Sequence, residues 1–186
     1  MILPLRVWRF FRNPEYVRLR ATKKLQLRLF FGLLVWMLVL SVCAGMFLNI
    51  LQTAIGIDFG DHAVSQMFEQ YSPLMIFGLA IILAPLMEEL IFRAPMGLFK
   101  NSSLFPLVFY FLTLGFAAIH FFNFTSYDVS IWWAPLLVLP QLISGIFLGY
   151  IRVKLGLFHA MLLHAAFNGI ILGPFILAMV FKNLFA

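Results

Sequence analysis

Charged residues are scarce in this sequence. Only 11% of its 186 residues are Asp, Glu, Lys or Arg, whereas 63% are hydrophobic, and the mean hydropathy is +1.01. About a quarter of the residues of an average soluble domain are charged. The scarcity therefore excludes an ordinary soluble domain and predicts an all-α, polytopic bundle of transmembrane helices.

Cysteine is almost absent as well, since Cys43 is the only one. A single thiol excludes an internal disulfide and a thiolate metal cluster. Cys43 lies in an apolar run that follows a long basic region. We interpret this run as a retained membrane span, not a cleaved signal peptide, and expect Cys43 to pack between helices.

The positive charges are concentrated at the N-terminus. A net charge of +6 suits a nucleic-acid partner in principle, but eight cations precede the first long apolar run. This distribution instead predicts a basic membrane-surface segment at residues 1–28, attracted to anionic lipid, followed by a transmembrane bundle at 29–186. We therefore predict that the lipid bilayer is a partner and that the protein does not bind nucleic acid. The eight cations are Arg6, Arg9, Arg12, Arg18, Arg20, Lys23, Lys24 and Arg28.

Six apolar stretches are candidate spans, because a spanning helix needs about 20 mostly apolar residues. Gly173–Pro174 lies between the last two, which are short, so these are either two spans or one span and a partial hairpin. The six stretches are roughly 29–51, 72–97, 104–123, 131–150, 156–171 and 172–185.

Lysine and arginine in the short loops indicate the orientation. The basic N-terminal segment, Lys100, and Arg152 with Lys154 fall on one side of a six-span topology. The loops 52–71 and 123–130, on the other side, contain no lysine or arginine. This pattern predicts both termini in the cytoplasm. We expect the membrane to be a bacterial inner membrane.

Span 2 carries three charged residues inside its apolar stretch, in the sequence "LAPLMEELIFR". Each ionised side chain near a bilayer centre costs roughly 3 kcal/mol, so such residues usually serve a function. Glu89 and Arg93 are four residues apart and can pair on one helix face. Glu88 is rotated by about 100° from Glu89 and is expected to face another group.

Two further spans carry polar residues at helical spacing. His120 follows Phe116 by one turn on span 3, and Asn168 follows His164 by one turn on span 5. If these residues converge on Glu88, three helices bring a carboxylate, two imidazoles and an amide together. Convergence requires span 2 to continue to about Phe99, which we expect, or span 3 to be tilted, since otherwise Glu88 and His120 differ in depth by about 10 Å or more.

Such a set of groups is sufficient to hydrolyse an amide bond. Glu88 can act as the general base on water, and His120 can hold that water. His164 and Asn168 can donate hydrogen bonds to a developing oxyanion. Alternatively, Glu88, His120 and His164 form a two-histidine, one-carboxylate zinc site. The residue types leave this choice open, and the soluble zinc-protease motif HExxH is absent.

These motifs together resemble the CPBP family of intramembrane proteases, named for CAAX prenyl proteases and bacteriocin-processing enzymes and also called the ABI family. The family pattern EExxxR, FxxxH and HxxxN appears as "EELIFR" (88–93), "FAAIH" (116–120) and "HAAFN" (164–168). The resemblance covers about residues 70–172.

The resemblance implies an intramembrane endopeptidase that acts on a membrane-associated peptide or protein. It implies that Glu88 activates water with His120 as its partner, and that His164 and Asn168 lie on the oxyanion or ligand side. It assigns Glu89, Arg93 and Phe116 supporting roles. Two alternatives are a catalytically silent immunity or scaffolding protein of the same fold and a proton-coupled transporter. A transporter would favour inverted repeats, and the sequence shows none.

Overall fold

The computed structural model describes residues 2–56, 63–124 and 131–185, and within these ranges the regular structure is helical, without a strand. A π-helical stretch, Phe77–Leu83, connects α4 and α5, and short 3-10 turns cover Pro95–Gly97, His120–Asn123 and Ile131–Trp133. The helices are α1 (Leu3–Arg12), α2 (Lys23–Ile55), α3 (Ala63–Gln70), α4 (Pro73–Ile76), α5 (Ala84–Phe92), α6 (Phe105–Ile119), α7 (Ala134–Leu137), α8 (Leu139–Lys154) and α9 (Leu157–Phe185).

Four helical stretches of the described chain are long and apolar enough to cross a membrane: Lys23–Ile55, Pro73–Gly97, Phe105–Asn123 and Leu157–Lys182. The shorter α8 packs against α2, α6 and α9 and buries most of its second half. The predicted all-α membrane bundle is therefore confirmed, whereas the predicted number of about six spans is not.

The C-terminal region differs from both predicted arrangements, two spans or one span and a partial hairpin. Residues Leu157–Phe185 form one helix of 29 residues with Pro174 inside it. At 1.5 Å per residue this helix is about 43 Å long, which suffices for one crossing only. Long apolar helices tolerate a proline that would end a helix in water, so the Gly173–Pro174 pair was a misleading signal.

The prediction that both termini are cytoplasmic depended on six crossings. It gains no support from this architecture, and the location in a bacterial inner membrane also stays a prediction. Residues 57–62 and 125–130 of the cation-free loops lie outside the described residues.

Cys43 does not pack between helices as expected, but is exposed on α2. The stripe of α2 that faces the bundle contains Ser41, Ala44 and Leu48, at spacings of three and four residues. Cys43 falls outside this stripe, which explains its exposure.

The basic N-terminal segment is docked onto the bundle by an apolar face. Val7 and Phe10 of α1 are buried in the main core, and the Tyr110 hydroxyl donates a hydrogen bond of 2.6 Å to the Phe11 carbonyl. The cations of α1 remain exposed. Since α2 already begins at Lys23, the predicted division at residue 28 falls inside a helix, and the domain division itself stays a prediction.

Two glycines allow α6 and α8 to approach closely. A Cβ atom at Gly149 would lie 2.6 Å from a ring carbon of Phe109, and one at Gly145 would lie 3.1 Å from a ring carbon of Phe116. Small residues four apart permit this kind of close helix contact in membranes. The close approach brings the backbone of α8 next to the polar residues of α5 and α6.

Candidate active site

Three helices bring the predicted site residues together. Glu88 lies on α5, His120 directly follows α6, and His164 lies on α9. Glu88 Oε2 is 3.9 Å from His120 Nε2 and 3.7 Å from His164 Nε2. Glu88, His120 and His164 therefore lie together, without a mismatch in depth, whereas the Asn168 amide bonds to the π-helical stretch. Span 2 continues beyond α5 through the 3-10 turn that ends at Gly97.

Glu89 and Arg93 form the predicted pair. Their side chains are fully buried, with 3.6 Å between Arg93 Nη1 and Glu89 Oε1. The Arg93 guanidinium carbon also lies 3.9 Å from the centre of the Phe116 ring, and Nη2 donates a bond of 3.4 Å to the Gly145 carbonyl. A buried charge requires such compensation, because an unpaired one is strongly destabilising.

His164 connects the two glutamates, which the sequence did not predict. Its Nδ1 is 3.1 Å from Glu89 Oε1, while its Nε2 faces Glu88. An ionised carboxylate only accepts hydrogen bonds, so Nδ1 carries a proton when it bonds to Glu89. Glu89 therefore orients the imidazole and directs the other nitrogen toward Glu88.

His120 is oriented by the backbone of its own helix. Its Nδ1 is 2.7 Å from the Phe116 carbonyl oxygen, which can only accept, so this nitrogen is the donor. In the neutral ring, Nε2 then presents a lone pair on the side of Glu88. The Phe116 ring packs against both imidazoles, with centroid distances of 4.8 Å to His120 and 5.7 Å to His164.

The two adjacent glutamates differ in accessibility. The side chain of Glu88 is 23% exposed, whereas that of Glu89 is fully buried. Among the described residues, no group donates a hydrogen bond to Glu88 Oε2. Glu88 Oε2 itself is buried, so the exposed part of the side chain lies elsewhere. Of the two glutamates, only Glu88 has a surface that a small molecule such as water can contact.

Asn168 contacts the π-helical stretch that precedes the glutamates. Its Nδ2 donates a bond of 2.9 Å to the Ala80 carbonyl. The stretch ends where the Ala84 N–H bonds to the Leu79 carbonyl, five residues back. Pro85 explains why the helical hydrogen bonds change here from four residues back to five. It lacks an N–H, and its ring crowds the carbonyl four residues before it. Asn168 thus ties α9 to the widened turn next to the site.

The donor set has the chemistry of a zinc site but a wider spacing. Ligands of a tetrahedral zinc ion, each at about 2.1 Å, lie about 3.4 Å from one another. The two imidazole nitrogens are 3.7 and 3.9 Å from Glu88 Oε2. Within the described ranges, no three His, Cys, Asp or Glu side chains are arranged to hold a metal ion. The Nδ1 hydrogen bonds of His120 and His164 do fix the orientation of both rings, as such bonds usually do in metal-binding histidines.

Arg152 also belongs to the region of the site, although from the sequence it was expected only to mark one side of the membrane. It is almost fully buried. Its Nε donates a bond of 2.8 Å to the Arg93 carbonyl, and its Nη1 donates one of 2.8 Å to the Tyr16 hydroxyl. The spacing from Gly145 through Leu148 to Arg152 places it on the buried face of α8, a helical signal that was present in the sequence.

A family model described as type II CAAX prenyl endopeptidase Rce1-like matches residues 70–170. The matched region is more than half of the chain and contains the glutamates, both histidines and Asn168. The helices α1 and α2 precede it. No curated protein and no solved structure matches the chain significantly.

Proposed function

Because the chain belongs to the Rce1-like type II CAAX prenyl endopeptidase family, we propose that it is an integral membrane endopeptidase in which Glu88 activates water. The main support is the placement of Glu88 Oε2 opposite the Nε2 atoms of His120 and His164, which come from two other helices. A general base has to lie within reach of the proton that it removes. Among the two glutamates, only Glu88 is accessible.

The proposed reaction is hydrolysis of a peptide bond. Water held between Glu88 and the imidazoles attacks the carbonyl carbon, and Glu88 takes up one proton. The carbonyl oxygen becomes an oxyanion, for which the second N–H of Asn168 is the proposed donor. His164 adds a second donor only as an imidazolium, because the proton of the neutral ring lies on Nδ1 and is directed to Glu89. Glu88 then returns the proton to the amine nitrogen as the C–N bond breaks.

If a metal ion is used, Glu88, His120 and His164 are the residues that would hold it, and they would have to lie closer together than the 3.7 and 3.9 Å between Glu88 Oε2 and the two imidazole nitrogens. When bound, zinc lowers the pKa of its water to about 7. The two forms of the proposal differ in an experiment on metal content. About one equivalent of zinc, lost in His120→Ala, would indicate water held by a metal ion. Cleavage that persists after exhaustive chelation would indicate that Glu88 acts without one.

The proposed substrate is a membrane-associated peptide or protein. A cavity of about 610 Å³ borders α6 and is lined almost entirely by apolar residues. Two of its lining residues, Ala117 and Phe121, flank the chain segment that carries His120. We propose that an apolar segment of a substrate approaches the site through this cavity. A prenylated C-terminal peptide is the substrate class that the family name suggests.

The test is cleavage of a prenylated C-terminal peptide by the purified chain in liposomes containing H₂¹⁸O. We expect one peptide bond to be cut and one ¹⁸O atom to appear in the new carboxyl group. Glu88→Gln is the matched control, because it keeps the size of the side chain and removes the base. Wild-type protein that binds such peptides without cutting them would contradict the proposal and support a catalytically silent member of the family.

A further inference from the structure

A second cavity lies beside the basic N-terminal segment, and neither Glu88 nor Glu89 lines it. It has a volume of about 460 Å³, and its lining includes Arg6 and Arg9 of α1 and Lys154 at the end of α8. A smaller cavity of about 180 Å³ adjoins it and adds Arg18. The two share Arg6, Val17, Tyr150 and Lys154, so they form one continuous depression, which we call the basic cavity.

The walls of the basic cavity are fixed by the fold. The segment between α1 and α2 crosses the end of α8, where the Leu19 N–H donates a bond of 2.9 Å to the Lys154 carbonyl. Lys154 Nζ in turn donates a bond of 3.1 Å to the Val17 carbonyl. An ammonium group has three donors, so this contact leaves two for another acceptor. The cavity is therefore formed before any ligand binds.

Positive charge in the basic cavity exceeds negative charge. Four cations border it, against the single carboxylate of Glu15, which itself accepts a bond of 3.0 Å from Asn13. Among the residues that the structure describes, no carboxylate lies within ion-pair distance of these four cations. Four cations against one carboxylate favour an anionic ligand.

One side of the basic cavity is apolar. Leu19 and the first turns of α2, at Leu25 and Leu29, line the smaller part. Leu25 is half exposed on the outer surface of the helix, whereas Leu29 is buried. The cavity thus combines a cationic mouth with an apolar wall that begins a membrane-length helix. A free inorganic anion would use only the first of these features, whereas a phospholipid would use both.

We propose that the basic cavity binds the phosphate headgroup of an anionic phospholipid, with an acyl chain along the start of α2. Basic pockets between helices at the membrane surface are suited to such headgroups. Arginine is suited to phosphate because its guanidinium donates two parallel hydrogen bonds. The proposal concerns residues outside the cleavage site and does not depend on the proposed enzymatic activity.

The test measures lipid retention by the full chain in a neutral detergent, using native mass spectrometry. The probes are phosphatidylglycerol, phosphatidylcholine with the same acyl chains, and inorganic phosphate. We expect one phosphatidylglycerol to be retained in preference to phosphatidylcholine. In the double variant Arg6→Gln, Arg9→Gln its affinity should fall roughly 30-fold, from the typical contribution of two basic residues at a membrane surface.

The matched control is the double variant Lys24→Gln, Arg28→Gln. It removes the same charge from the same basic segment, but neither residue borders the basic cavity. Its affinity should stay close to that of the wild type. All four side chains are exposed, so both variants should keep the wild-type melting temperature.

Three outcomes would overturn the proposal. Equal losses in the two double variants would show attraction to general surface charge, and equal retention of phosphatidylcholine would show that the phosphate site does not select anionic lipid. Displacement of the lipid by inorganic phosphate at equal concentration would assign the cavity to a free anion.

Discussion

At the scale of single residues, the neighbouring Glu88 and Glu89 have different environments. Their rotation by about 100° along the helix was sufficient to predict that Glu89 pairs with Arg93 and that Glu88 faces elsewhere. The sequence could not show that His164 lies between the two carboxylates, with Nδ1 on Glu89 and Nε2 toward Glu88. That contact depends on how α9 packs against α5, which local spacing does not determine.

The buried pair predicts a rescue between two substitutions. Glu89→Gln removes the carboxylate next to a fully buried guanidinium, so we expect a loss of roughly 3–5 kcal/mol in the free energy of unfolding. Adding Arg93→Met removes the unpaired cation and should restore part of this loss. Melting temperatures in detergent check the pair. If the double variant is less stable than Glu89→Gln alone, Arg93 is held by Phe116 and Gly145 without any need for Glu89.

At the scale of the elements, the π-helical stretch before α5 determines where Glu88 and Glu89 lie. A proline one residue after the start of α5 was visible in the sequence, but a shift of the ladder to five residues was not predicted. Helical periodicity predicts the face of a residue only while the helix keeps 3.6 residues per turn. In the structure the contact between Asn168 and Ala80 spans this irregular region.

Asn168→Ala should therefore lower stability as well as activity. It leaves the partly buried Ala80 carbonyl without its donor, at a cost of about 1–3 kcal/mol. Asn168→Asp should be at least as destabilising, because a carboxylate oxygen would face the carbonyl oxygen. The measurement is the melting temperature of each variant together with its cleavage rate. Unchanged melting temperatures with lost cleavage would limit Asn168 to the oxyanion.

Arg152 joins three elements and predicts a difference between arginine and lysine. Its planar guanidinium donates hydrogen bonds to the Arg93 carbonyl and the Tyr16 hydroxyl at the same time, whereas a lysine ammonium is a single point charge. Arg152→Lys should lower kcat for peptide cleavage more than it changes KM, since the end of α5 loses its fixed position. Tyr16→Phe is the control that removes only one of the two contacts and should have the smaller effect. Equal kinetics for Arg152→Lys and wild type would show that α5 keeps its position without this contact.

The whole molecule combines features that the sequence predicted with others that it did not. Composition was sufficient to predict an all-α membrane bundle. The spacing of the motifs in apolar helices was sufficient to identify Glu88, His120 and His164 as residues that lie together, but not the contact of Asn168 with Ala80. The number of spans was not predictable for two reasons. The predicted span 131–150 is divided among a 3-10 turn, α7 and α8, and a Gly–Pro pair breaks helices in water but not in a long apolar helix such as α9. Docking of α1 depends on tertiary contacts of Val7 and Phe10 that charge patterning conceals.

The docking of α1 predicts opposite roles for two aromatic residues of that helix. Phe10 is 7% exposed and packs in the core, whereas Trp8 is 55% exposed. Phe10→Ala should lower the free energy of unfolding by about 3–5 kcal/mol, as usual for a buried phenylalanine. Trp8→Ala should leave it nearly unchanged in detergent. Equal, small effects of the two substitutions would support the simpler view that the segment only lies on the membrane surface.

The central claim is that Glu88 is the base and Glu89 is a positioning residue. Its most direct test compares the cleavage rate and melting temperature of Glu88→Gln and Glu89→Gln in the same detergent. We predict that Glu88→Gln keeps the wild-type melting temperature and loses cleavage, because the accessible carboxylate is removed without breaking the buried pair. Glu89→Gln should show a lowered melting temperature as its main defect. A Glu88→Gln protein that cleaves normally, beside a stable but inactive Glu89→Gln protein, would contradict the account.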